Sequence, residues 1–142
     1  MMNVDFTVQT YMELLKGLTG LDFSFQTVEQ FIRGPLGRVV ILRHDVDRLP
    51  ENSLVIAKLE HELGLVATYY FRAVPESWDE GVIREIAGLG HEVGYHYENL
   101  TTCGGDFRLA IDDFGINLRK LRKLYPVKTI SVSYTHLTLP TN

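Results

Sequence analysis

Four strand-like segments, separated by stretches with helical spacing, constrain this chain more than any other feature. The strands begin near Val39, Val66, Glu92 and Val127. Between them lie a stripe of Val55, Ile56, Leu59 and Leu63 closed by Gly64, and a second of Val82, Ile83, Ile86 and Leu89 closed by Gly90. A third carries Phe107, Ala110, Ile111, Phe114, Leu118 and Leu121 and stops before Pro126. Apolar residues at this spacing bury one helical face, and strands alternating with helices call for a parallel sheet joined by crossovers. The fold class is therefore α/β, with βα units on a parallel sheet. An open doubly wound sheet and part of a barrel both satisfy the pattern, since four strands do not close a parallel barrel of about eight.

The segment boundaries follow from capping chemistry. Thr7 caps a first helix with Tyr11, Leu14, Leu15 and Leu18 on one face and Gly20 at its end. Phe23-Ser24-Phe25 is a short alternating segment. Thr27-Val28-Glu29-Gln30 reads as a capping box for a short helix ending near Gly34-Pro35. Val39 to Arg43 reads as one apolar strand, covered on both faces as in parallel sheets. Pro50 suits the first turn of the next helix, Ser77-Trp78-Asp79-Glu80 reads as another capping box, and Asp106 caps the last long helix.

The apolar run Val39-Val40-Ile41-Leu42 leads straight into Arg43-His44-Asp45-Val46-Asp47. Asp45 and Asp47 are two apart, so on extended backbone they share a face, and a divalent cation relieves their repulsion. Alone, such a pair fits a capped strand-to-helix turn at least as well. A second constellation changes the balance: Gly90-His91-Glu92-Val93-Gly94-Tyr95-His96-Tyr97-Glu98. His96 and Glu98 fall at the C-terminal end of their strand, on the rim that carries Asp45 and Asp47. Imidazole plus carboxylate is a ligand set for zinc or another first-row divalent ion. His91 lies at the opposite strand end and reads as structural, His61 as solvated. His44 alternates with Asp45, which directs it into the opposite layer. Arg43 and Arg72, both at strand ends, pair with carboxylates or hold an anionic substrate. Trp78 and Tyr97 stack on a sugar ring or simply pack.

Composition bounds the rest. A chain of 142 residues makes one domain with a real core. Its net charge of −4 argues against a general nucleic-acid surface. No apolar run spans a bilayer and the first residues form no signal core, so a cytoplasmic location is expected, with no membrane partner. Cys103 is the only cysteine, which excludes an internal disulfide.

Arg43-His44-Asp45-Val46-Asp47 and Gly90-His91-Glu92-Val93-Gly94-Tyr95-His96, two βα units apart, resemble the paired motifs of the polysaccharide deacetylase family. Ala67-Thr68-Tyr69-Tyr70-Phe71 is similar to that family's "ATFF" strand. The resemblance covers about residues 36–131. It implies a distorted (β/α) barrel with a divalent metal, usually zinc, and hydrolysis of non-peptide C–N bonds in N-acetylated sugars or polysaccharide. On its pattern Asp45 is the general base and Asp47 and His96 are metal ligands; Arg43, Arg72 and Tyr97, read from their own positions, are the candidate substrate-binding residues. The family's second metal histidine falls at position 100, where this chain has Leu100, so either Glu98 replaces it, a ligand comes from elsewhere, or metal binding is weakened. Relatives of this fold also act on cyclic amides, and a non-catalytic binding module that keeps the rim is a further alternative. Related proteins continue for several more βα units. The end of this chain, from Val132 to Asn142, resembles translated sequencing-adapter bases. Residues 1–131 are therefore expected to be the N-terminal part of one deacetylase-like domain and 132–142 a non-native tail, in which His136 is no ligand.

Overall fold

A computed structural model of the chain describes residues 6–133. Tyr134–Asn142, most of the expected tail, and His136 with them, fall outside the described residues. The elements run α1 (Val8–Gly20), β1 (Ser24–Phe25), α2 (Val28–Arg33), β2 (Val39–Val40), β3 (Arg43–Val46), α3 (Pro50–Glu62), β4 (Thr68–Phe71), α4 (Glu80–Gly88), β5 (Glu92–Tyr97), α5 (Asn99–Thr102), α6 (Phe107–Arg122) and β6 (Ile130–Val132). Four parallel strands in the order β3-β4-β5-β6 form a curled sheet, a half-barrel. A separate two-stranded parallel sheet joins β1 to β2.

Register sets the two faces of the main sheet. Arg43 pairs with Thr68 and Asp45 with Tyr70, while Thr68 pairs with Glu92 and Tyr70 with Gly94. His96 pairs with Ser131. All of these lie on one face, because side chains alternate along each strand. That face is concave and polar. The opposite face carries Val46, Tyr69, Phe71, Val93 and Tyr95, which pack with Ala57, Val82, Ile83, Ile86, Leu121 and Val127 in one core. Fully burying a side chain such as Ile83 or Ile86 is worth about 1.5–3 kcal/mol. Helices α3, α4 and α6 therefore cover the convex face.

Two expectations shift for this reason. The run Val39 to Arg43 is not one strand: β2 pairs with β1, and the main-sheet strand begins at Arg43 and runs through the acidic motif. A concave polar face needs alternation, which Arg43-His44-Asp45-Val46 supplies and Val39-Val40-Ile41-Leu42 does not. The cap of α4 is Asp79, whose side chain accepts from the Val82 N–H, and not Ser77. Thr7, the Thr27–Gln30 capping box, Pro50 and Asp106 stand where the sequence puts them. The stripes are less faithful: Leu14, Val55, Phe107 and Ile111 are exposed, and α3 turns Ala57 and Glu60 inward.

The lower end of the concave face is closed by α2. The Val28 N–H donates to Thr68 Oγ1 and the Glu29 N–H to Glu92 Oε1, each at 3.0 Å. Buried Glu92 also accepts from Thr68 at 2.9 Å and Thr129 at 2.6 Å. A carboxylate taking charge-assisted bonds from a helix start and two strands fixes that end firmly. His91 holds the same end from the convex side, accepting from the Ala67 N–H at 3.0 Å and donating from Nε2 to the Ala57 carbonyl at 2.8 Å. Burial keeps its imidazole below the usual histidine range, and so neutral.

Candidate active site

The open end of the concave face collects the charged motif residues. Asp45 lies within β3, and Asp47 follows it on the turn into α3. His96 lies on β5, two strands away, and is buried. Adjacent strands sit about 4.8 Å apart, so a flat sheet would hold these groups well separated. The curl closes the gap: His96 Nε2 stands 3.5 Å from Asp47 Oδ1 and 4.0 Å from Asp45 Oδ2. His96 Nδ1 is 3.1 Å from the Ser131 carbonyl oxygen. A carbonyl only accepts, so Nδ1 is the donor here, and Nε2 is the ring nitrogen that faces the two carboxylates. This is the second-shell arrangement that fixes the tautomer of metal-binding histidines.

Asp45 is held from its own strand. Arg43 donates from Nε to Oδ1 at 3.0 Å and from Nη2 to Oδ2 at 2.9 Å, a bidentate pair. The same Nη2 reaches across the half-barrel to Ser131 Oγ on β6. The guanidinium carbon lies 5.3 Å from the centroid of the Tyr70 ring. Tyr70 in turn spans Gly94 to donate to Thr129 Oγ1 at 2.9 Å. Gly94, Tyr70, Arg43 and Asp45 thus form a stack that begins where β5 has no side chain.

Arg72, just past β4, donates to Glu98 Oε1 from Nε at 3.2 Å and Nη2 at 2.6 Å. Its Nη1 donates to the main-chain carbonyl of Asp47 at 3.0 Å. Ser77, fully buried, accepts from the Arg72 N–H at 3.0 Å and donates to the Val46 carbonyl. Glu98, the expected replacement ligand, therefore has its carboxylate on Arg72. Leu100 lies in α5 and offers no donor atom. Among the described residues, no group of three or more His, Cys, Asp or Glu side chains is placed to hold a metal ion.

The donor types at the rim are ones a divalent cation accepts: an imidazole nitrogen and a carboxylate, with a second carboxylate at the edge. Asp47 and His96 are the residues that would hold it.

The other expected site residues divide. Arg43 and Arg72 reach the rim, but each is engaged by a carboxylate of the chain itself. The ring of Tyr97 turns to the helix side, since it alternates with His96. It meets Phe114 nearly edge-on at 5.3 Å and Tyr95 at 6.4 Å. Trp78 packs on the core, with Lys120 Nζ 5.0 Å from its ring centroid. His44 faces the helix layer, as alternation demands. It stacks on Tyr69 at 4.6 Å and lies 2.7 Å from Glu60 Oε2. Burial pushes the Glu60 carboxyl up, but hydrogen bonding and charge from His44, with the Tyr11 and Tyr69 hydroxyls, hold it net below its usual value. Tyr11 and Tyr69 are both raised, first by burial and then by Glu60.

Sequence reasoning missed Glu60, Tyr70, Ser77, Gly94 and Ser131. For Gly94 a signal existed, because an isolated glycine inside a strand marks close approach of another group. Ser77 and Ser131 carry no such mark.

Comparison with protein-family models, with curated proteins and with solved structures found no match. The fold and site define a mixed α/β half-barrel with an acidic and imidazole cluster on its concave rim. No described helix is long and apolar enough to cross a membrane.

Proposed function

We propose that the chain carries half of the site of a metal-dependent hydrolase of non-peptide C–N bonds, of the polysaccharide deacetylase type, acting on N-acetylated sugars or polysaccharide. One observation carries this reading: Asp45 and Asp47 converge on Nε2 of a histidine whose Nδ1 is held by the Ser131 carbonyl. The resemblance of both motifs to that family supports it.

Asp47 and His96 are the residues that would hold a divalent ion, with zinc the expected one. When bound, such an ion polarises a carbonyl and lowers the pKa of water. Asp45 then takes the proton from the attacking water as general base. The Arg43 fork fixes which lone pairs of Asp45 face the cleft. Arg72 keeps the turn carrying Asp47 in place.

The test combines metal content and chemistry. Asp47→Ala and His96→Ala should each abolish stoichiometric zinc binding in equilibrium dialysis, while Asp45→Ala should retain the metal. Unchanged metal content in both ligand variants would remove the assignment. Acetate release from N-acetylated glucosamine oligomers then separates sugar deacetylation from ring opening of cyclic amides.

A further inference from the structure

We infer that Arg72 is a positioning residue for Asp47, with Glu98 as its counter-ion rather than a metal ligand; this rests on the metal reading above. Asp47 needs such a device. Its side chain is 63% exposed, and it stands beyond the end of β3 on a turn that no ladder holds. Two residues later Leu49 takes a left-handed conformation, φ 52°, an unfavourable one for a branched side chain directly before Pro50. A turn with that local preference against it keeps its shape only when its surroundings over-determine it.

Arg72 supplies the restraint. Its guanidinium is planar and carries donors in a fixed fork, so one side chain binds two partners in one geometry. Two donors grip Glu98 at the end of β5, and the third holds the Asp47 main-chain carbonyl. Ser77 fastens the base of the fork, linking the Arg72 N–H to the Val46 carbonyl. The C-terminal ends of β3, β4 and β5 are thereby tied together beside His96. The arginine touches neither the carboxylate of Asp47 nor the imidazole, so it acts on the site only through the backbone.

The opposite account is specific: Glu98 is a ligand in waiting, and Arg72 competes for it. The two accounts predict opposite signs. Zinc affinity would be measured by competition with a chromophoric chelator for wild type, Arg72→Ala, Arg72→Lys, Glu98→Gln and the Arg72→Ala/Glu98→Gln pair. If Arg72 positions Asp47, Arg72→Ala weakens zinc by roughly 10–100-fold, as expected for an outer-shell partner. Arg72→Lys recovers part of the loss, and adding Glu98→Gln to Arg72→Ala costs little more. If Arg72→Ala tightens zinc, or Glu98→Gln costs a further hundredfold in that background, the inference is overturned.

Backbone amide exchange in metal-free protein gives an independent readout. Arg72→Ala should speed exchange at Asp47, Arg48 and Leu49 while leaving the amides of β4 protected. Unchanged exchange there overturns the clamp even if zinc binding falls. Failure of the wild-type chain to bind zinc would remove the metal reading, and the exchange data would still decide whether Arg72 restrains the turn.

Discussion

Gly94→Ala is the sharpest test of how the concave face is built. A methyl group at this position would sit 2.3 Å from Cε1 and 2.4 Å from Cδ1 of Tyr70, and 2.9 Å from the Thr129 carbonyl oxygen. Carbon atoms do not approach so closely, so the tyrosine ring must lift. Overpacking of this kind costs about 1–3 kcal/mol. Lifting the ring also breaks the Tyr70–Thr129 hydrogen bond, worth about 1 kcal/mol. The expected destabilisation is therefore about 2–4 kcal/mol, read by equilibrium urea unfolding. The ring also floors the Arg43 guanidinium, so the arginine that holds Asp45 shifts with it. A double-mutant cycle with Tyr70→Ala isolates the cause. Removing the ring removes the two closest contacts and leaves the 2.9 Å approach to the Thr129 carbonyl, so the coupling should exceed about 1 kcal/mol, beyond ordinary additivity. A Gly94→Ala protein as stable as wild type, or strictly additive costs, would refute the stacking argument.

Two further outcomes follow from groups outside the motifs. The Glu60 carboxyl is held below its usual value of 4.5 in the folded chain, so the unfolded chain binds that proton more tightly. Its contribution is present above that value and is lost as pH falls through the lower folded-state value. Glu60→Gln should cost about 1.5–3 kcal/mol near neutral pH and flatten the acid limb of stability, as melts between neutral and acid pH would show. Parallel acid limbs in the two proteins would count against the Glu60–His44 pairing. Ser77→Ala leaves the Arg72 N–H and the Val46 carbonyl without their buried partner, at about 1–3 kcal/mol. Thermal unfolding checks this, and a change below half a kcal/mol would mean that water replaces the hydroxyl.

Much of the architecture is legible along the chain because it rests on local physics. Apolar spacing, side-chain caps and terminating glycines are each properties of a few consecutive residues. Thr7, Thr27 and Asp106 accept the backbone bonds their types favour, and Gly64 and Gly90 take positive φ. Ser77 misleads for the same reason. It has the composition of a cap, yet a distant carbonyl on β3 claims its hydroxyl, and Asp79 caps instead. Val55 misleads as well, since α3 is rotated so that Glu60 meets His44 and Tyr69.

By itself the sequence determines a βα alternation and the placing of two motifs at strand ends on one rim. It also determines which residues share a face: alternation sends His44 and Tyr97 to one side and Asp45 and His96 to the other. Distances and partners belong to the tertiary structure. Only the curl of the sheet brings Asp45 and Asp47 to within 4.0 Å of His96, and only there does the Ser131 carbonyl hold Nδ1 of the imidazole. Only the meeting of the β3, β4 and β5 ends commits Arg72 to Glu98 and to the Asp47 carbonyl. The physical reason is range: backbone preference and side-chain alternation act over a few residues, whereas a charged group takes whichever partner the fold delivers to it.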